Sequence, residues 1–161
     1  MATIPPGIIA AAQAAQRMYP TCLASLSIAQ WADESGWGAS VTGKNNYGGI
    51  TAKVTGAVFP YVPGTPLEPA TLCATHEFYH GQRVACKRWF KDYATVADFF
   101  EAHAALIATA RAYAPAIAKL PDVDAYVTTL AGIYATGQGY GAALLSIIHG
   151  HNLTQYDEVP Q

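Results

Sequence analysis

One stretch of this 161-residue chain constrains its fold more than any other, Cys22 to Gly38. No charge occurs from Cys22 to Ala32; Asp33 and Glu34 then arrive together, and Gly36-Trp37-Gly38 follows at once. Thr21, just after Pro20, is a good N-cap, and Gly36 is a good stop signal. The residues between them are mostly Ala, Leu, Ile and Ser, with apolar side chains around nearly the whole circumference. The pattern predicts a helix buried in the domain core.

The two acids at its end have chemical consequences. At helical spacing Leu23, Leu26, Gln30, Glu34 and Trp37 fall on one stripe, and Asp33 points about 100° away. Glu34 is thus carried on the buried side to the C-terminal end of the helix. Desolvation disfavours its charged form there, and so does the negative end of the helix dipole. A carboxylic acid that stays protonated near neutral pH is a general acid. The alternative is that Asp33 and Glu34 merely end the helix in solvent.

Charged residues make up only 12% of the chain, and the net charge of -2 gives no reason to invoke nucleic acid or an anionic membrane. No apolar run is long enough to span a bilayer, so neither nucleic acid nor membrane insertion is expected. Met1 to Gly7 lacks the basic segment of a secretory signal, which points to a chain that is cytosolic, already processed, or exported without a cleaved leader. Of the three cysteines, Cys22 reads as a packing residue of the buried helix. Cys73 and Cys86 flank one hairpin, offset rather than opposite, and their pairing stays open.

Taken in order, Pro5-Pro6-Gly7 leads into an Ala-rich helix from Ile8 to Met18-Tyr19, which Pro20 breaks, followed by the buried helix and a loop from Ser40 to Asn46. Thr51 to Phe59 has β character, and 60–69 is a proline-dense connector. Thr71 to Tyr79 and Arg83 to Phe90 read as two strands around His80-Gly81-Gln82. Thr95 caps a helix from Val96 to about Tyr113 with Phe99, Phe100, His103 and Leu106 inside. Asp122 opens a helix through Tyr134, Gly137-Gln138-Gly139 interrupts, Tyr140 to His149 is the last helix, and a polar tail begins at Asn152. The fold class expected is α+β. Residues 1–161 form a single domain, with a mainly helical lobe and a small β lobe inserted at about 51–91.

Eleven acids allow elimination. Asp92, Asp98, Glu101, Asp122 and Asp124 lie in or beside helix starts, Asp157 and Glu158 in the tail, and Glu68 among prolines. Only Glu34 and Glu77 lie among aromatic and Gly residues. Two carboxylates on different elements suit glycosidic cleavage, one as acid for the leaving oxygen and one as base or stabiliser. Trp37, Tyr47, Tyr61, Tyr79, Tyr134 and Tyr140 could supply aromatic faces for sugar rings; the alternative is that they serve packing. A competing pattern, His76-Glu77-Phe78-Tyr79-His80, is a literal zincin motif. That motif works on a helix; in a strand the two histidines stand about 13 Å apart and cannot share one zinc. No metal and no cofactor are expected.

Ala29-Gln30-Trp31-Ala32-Asp33-Glu34-Ser35-Gly36-Trp37-Gly38, then Asn45-Asn46-Tyr47-Gly48-Gly49-Ile50, resembles the glycoside hydrolase family 73 glucosaminidases, the flagellar and autolysin type. Thr75-His76-Glu77 before Gly81, Phe90 with Tyr93, and Ala131-Gly132-Ile133-Tyr134-Ala135-Thr136 with Tyr140 and Leu144 continue the match in order. The resemblance implies a lysozyme-like fold and endo-hydrolysis of the β-1,4 bond on the reducing side of N-acetylglucosamine in peptidoglycan. By position it makes Glu34 the catalytic acid, Glu77 the second carboxylate and Tyr134 a residue lining the catalytic cleft. It places Asn46 and Tyr47 beneath the sugar, with Trp37, Tyr79 and Tyr140 as further substrate contacts. Tyr47-Gly48-Gly49-Ile50 departs from the commoner Leu-Phe-Gly-Ile form, and Ala135-Thr136-Gly137 lacks the common Asp after the Thr. A bare catalytic domain of this type also resembles a type VI secretion effector or a single-domain phage endolysin. That implies a monomer acting on glycan strands of the periplasm or cell wall, and for an effector a cognate immunity protein occluding the cleft. The alternatives from other classes are a zinc peptidase using His76 and His80 and a non-catalytic glycan-binding domain.

Overall fold

The computed structural model describes residues 3–135 and 139–158. Its axis is the helix that carries Glu34, α2 (Ala24–Ser35), of whose 12 residues ten are buried. Around it lie α1 (Pro6–Met18), α3 (Val96–Thr109), α4 (Ala114–Ile117), α5 (Val123–Tyr134) and α6 (Tyr140–Gly150). Between α2 and α3 come two antiparallel pairs: β1 (Val54–Thr55) with β2 (Thr65–Pro66), and the long hairpin β3 (Ala70–Tyr79) with β4 (Gln82–Lys91). This is the α+β architecture expected, a helical lobe with a β excursion after the Glu34 helix.

The core is made mainly by the helices. Leu26 and Ile28 of α2 meet Phe100 and Ile107 of α3, Tyr126 and Leu130 of α5, and Leu144 and Ile148 of α6 in one cluster. No residue of the four strands belongs to its fully buried part except through packing from Tyr93, just after β4. α3 begins with a capping box, in which Thr95 and Asp98 satisfy each other's backbone N–H groups. Its inner face runs Phe99, Phe100, His103, Ala104 and Ile107. Leu106, expected inside, is 45% exposed, because the i, i+4, i+8 line from Phe99 passes through Ile107 instead.

Two other expectations are corrected. Thr21 is not the cap of α2: the helix starts two residues after Cys22, and Leu23 holds the cap position without a side-chain bond. The first amides are served from elsewhere in the chain. The Ala24 N–H donates to Gln16 Oε1 at 3.1 Å, and Ser25 donates both its N–H and its hydroxyl to Asp157, each at 2.7 Å. Leu153 is fully buried, and residues 153–158 close over the start of α2. Burial pushes the Asp157 carboxyl above the ordinary value, and the hydrogen bonds it accepts offset this only in part. Asp157→Ala is thus expected to cost about 1 kcal/mol, within the range for a lost N-cap, and to lower Tm by about 2–4 °C in a calorimetric scan.

The stretch from Thr51 to Phe59 is not one strand. Gly56 turns at φ 68, so Val54 and Thr55 form only a two-residue strand, paired with Thr65 and Pro66 inside the proline-rich connector, while Thr51 bridges Phe90 and Val58 bridges Val62. Gly64 sits so close that a Cβ there would stand 2.6 Å from the Thr55 carbonyl. The long hairpin turns at His80-Gly81, φ 49 and 78, with Tyr79 opposite Gln82; both turn residues take the left-handed backbone that a two-residue hairpin requires. Cys73 faces Arg88 and Cys86 faces Thr75, offset as expected, and both thiols are free. Gly137 and Gln138 lie outside the described residues.

Candidate active site

The end of α2 is shaped by its glycines. Gly36 caps the helix in the left-handed conformation. Gly38 (φ 84) lies against the Trp31 indole, where an added Cβ would stand 2.9 Å from the ring. Asp33 is exposed, whereas Glu34 is half-buried and faces inward, as helical spacing predicts.

Three elements converge on Glu34. From α6, the Tyr140 hydroxyl donates to Glu34 Oε1 at 2.9 Å. From α5, Tyr134 stacks on Tyr140 with ring centroids 5.9 Å apart and 15° between planes, and it lines the same small cavity as Glu34. From the loop after α2, the backbone of Gly48 passes over the carboxylate. A Cβ at that position would stand 3.3 Å from Glu34 Oε2 and 3.4 Å from the Phe99 ring, so the loop approaches this closely only because residue 48 has no side chain.

Burial raises the pKa of Glu34, and the charge of Asp33 adds to this; the hydroxyls of Tyr140 and Tyr134 pull it back. A carboxyl whose pKa rises on folding binds its proton more tightly in the folded chain. Its ionisation opposes folding, so this group's contribution to stability falls as pH rises from the unfolded value of about 4.3 through the raised folded one. Glu34→Gln is accordingly expected to melt above the parent at pH 7, with the difference closing below pH 4, in paired thermal scans.

The remaining candidates divide into two groups. Trp37 and Tyr47 flank Trp31, edge-on at 6.2 and 6.4 Å, and Tyr47 also meets Phe99 at 5.6 Å. Trp37 packs on His151 at 4.6 Å. Asn46 is fully buried, and its amide is spent on backbone. It donates to the carbonyls of Ile50 and Lys91, each at 2.8 Å, and accepts from the Ile50 N–H at 3.0 Å. It therefore anchors the loop to the start of the β lobe and to the end of β4, and does not itself face the cavity. Glu77 and Tyr79 sit on β3. Arg88 donates to Glu77 at 2.9 Å, and Tyr79 joins Phe59 and Tyr61 in an aromatic group, at 5.5 and 6.2 Å. Glu77 is not among the residues lining the cavity at Glu34.

The His76-to-His80 motif runs along a strand into a turn, so its two histidines lack the helical turn that would bring them to one metal. Among the described residues no cluster of three His, Cys, Asp or Glu side chains forms. Two residues of the cavity were not singled out as functional by sequence reasoning, Gln30 and His103. The available signal was a polar residue on an otherwise apolar inner face: Gln30 one turn before Glu34, and His103 one turn after Phe99.

The model of the Glucosaminidase family, described as mannosyl-glycoprotein endo-beta-N-acetylglucosaminidase, matches residues 9–153. An autolysin of Enterococcus faecalis is 32% identical over 147 residues, covering 83% of this chain and 18% of its own length. A probable N-acetylmuramidase of Lactococcus lactis subsp. cremoris is 29% identical over 152 residues, covering 89% of this chain and 31% of its own. The chain thus spans less than a third of these curated relatives. The catalytic domain of the autolysin Auto from Listeria monocytogenes superposes with a TM-score of 0.72 at 23% identity, over 98% of this chain and 91% of that one.

Proposed function

Because the chain belongs to the Glucosaminidase family, we propose that it hydrolyses peptidoglycan glycan strands, cleaving the β-1,4 bond on the reducing side of N-acetylglucosamine with Glu34 as the general acid. The observation that carries this reading is Glu34 itself: a half-buried carboxyl whose pKa burial raises, at the end of a rigid core helix, held by the Tyr140 hydroxyl. A protonated carboxyl so placed can give its proton to a leaving glycosidic oxygen. Tyr134, backed by its stacking on Tyr140, forms one wall of the cavity, and Tyr47-Gly48 its cover. Glu77 acts from the hairpin as the second carboxylate. It either activates water, or supports attack by the substrate's own N-acetyl oxygen.

The test is digestion of purified peptidoglycan, with and without chelator, followed by borohydride reduction and mass spectrometry. Reduced N-acetylglucosamine ends that chelator does not suppress are the expected products. Reduced muramic ends would make the chain a muramidase. Cleaved peptide stems would return the histidine motif to the centre, and binding without turnover would mark a glycan-binding domain. The residual rate of Glu77→Gln separates the two routes, because loss of a base is far more costly than loss of a helper. A bacteriolytic role goes with this reading, and the same incubation on whole cells reads it as falling turbidity.

A further inference from the structure

The Tyr140 hydroxyl that donates to Glu34 is itself the end of a longer chain. Gln30 Nε2 donates to the Tyr140 oxygen at 2.9 Å. Gln30 Oε1 lies 2.8 Å from His103 Nε2. On the far side of the ring, His103 Nδ1 is 3.4 Å from the Ser27 hydroxyl, which is 3.5 Å from Cys22 Sγ. Gln30 and His103 are 3% and 4% exposed, and Ser27 and Cys22 are equally enclosed. Buried polar groups are retained in an apolar core only when each is satisfied, and here each is satisfied by the next.

The direction of every bond follows from one end. Ionised Glu34 can only accept, so the Tyr140 hydrogen points at it. The Tyr140 oxygen then faces the Gln30 NH₂, which leaves the Gln30 carbonyl toward His103. His103 must therefore carry its hydrogen on Nε2, leaving bare Nδ1 to accept from Ser27. Burial favours this neutral ring, pushing its pKa down to about 4, and keeps the Cys22 thiol protonated as a donor, with its pKa up to about 12. If the Gln30 amide were turned over, its oxygen would draw the Tyr140 hydrogen away from Glu34.

We infer that Gln30 and His103 are positioning residues, forming a one-way hydrogen-bonded relay that locks the Tyr140 hydroxyl hydrogen onto Glu34. The inference rests on the reading of Glu34 as the acid, and it adds a part that the bare carboxyl lacks. Without the relay the hydroxyl rotates freely, the carboxylate loses a steady donor, and Glu34 becomes a weaker acid. The ionisable groups around Glu34 are Asp33 on its own helix, Tyr47 on the loop, His103 on α3, Tyr134 on α5 and Tyr140 on α6. Asp33, Tyr47 and Tyr134 stand outside the relay and are unchanged in the variants below.

The experiment is a ¹³C-carboxyl NMR titration of Glu34 in the free protein, alongside the alkaline limb of the pH–rate profile. Tyr140→Phe, Gln30→Met and His103→Phe are each expected to move the Glu34 midpoint upward by about one pH unit, the scale of one lost hydrogen bond to a carboxylate. The double variant Gln30→Met/Tyr140→Phe should move no further than Tyr140→Phe alone, because Gln30 acts through that hydroxyl. His103→Gln, which keeps a donor, should restore much of the parent midpoint. A folded Gln30→Met with the parent midpoint, or additive shifts in the double variant, overturns the relay. If His103→Phe does not fold, the Gln30/Tyr140 cycle decides alone. The titration needs no substrate. An inactive parent with the expected shifts would sink the proposed reaction and keep the relay, and an active enzyme with unmoved midpoints would sink the relay and keep the reaction.

Discussion

Glu34→Gln is expected to reduce the rate of peptidoglycan cleavage by about 10²–10⁴-fold, the range that general acid catalysis supplies. The loss should fall on kcat and leave KM nearly unchanged, because the proton is required only as the bond breaks. The substitution is close to isosteric. The amide oxygen can still accept from Tyr140, and the Gly48 backbone still passes where no side chain intervenes. The fold is therefore retained, and at pH 7 it gains stability, so lost activity cannot be put down to unfolding. The check is a rate measurement on soluble glycan fragments beside a melting curve of the same sample. A variant that keeps more than a tenth of the parent rate would remove Glu34 from the role of acid.

Asn46→Ala is expected to destabilise the fold by about 2–4 kcal/mol, since three hydrogen bonds are lost and the Lys91 carbonyl and the Ile50 N–H lose their side-chain partner, while the Ile50 carbonyl keeps the Lys91 N–H. At the scale of this chain that corresponds to a fall in Tm of about 5–15 °C. The effect reaches the site as well. Asn46 ties the loop to Ile50 on one side and to Lys91 at the end of β4 on the other, and Tyr47-Gly48 follows it directly. Freed from that anchor, the loop no longer holds its cover over Glu34, so activity should fall by more than the unfolded fraction accounts for. Thermal scans combined with rates taken well below Tm separate the two effects. A variant with the parent's Tm would mean that water satisfies those backbone groups.

The parts of this molecule that were legible in the sequence are those written locally. An uncharged stretch ending in Asp33-Glu34-Ser35-Gly36 specifies a buried helix, its stop, and which of two adjacent acids turns inward. The two strands of the hairpin were legible for the same reason, since period-two alternation runs on both sides of a short turn. What could not be read is what joins distant segments. Thr21 looked like a cap, but the amides of α2 are taken by Gln16 and Asp157, and no local pattern announces a partner 132 residues away. Asn46 looked like a residue beneath the ligand, and only its three backbone partners identify it as an anchor. Tyr140 was read as an aromatic face; its hydroxyl, which decides its part in the site, depends on how α6 lies across α2.

That dependence bears on the order in which the molecule can be made. Glu34 leaves the ribosome before the tyrosine that holds it, which comes 106 residues later, and before the carboxylate that caps its helix, which comes later still. Contacts of such long sequence separation form only after the intervening chain has been gathered in. A nascent chain that has not yet reached Tyr140 carries the acid with neither its donor nor the closed end of its helix. The site is therefore completed by segments synthesised well after Glu34, and a chain stopped short of Tyr140 lacks the assembled site.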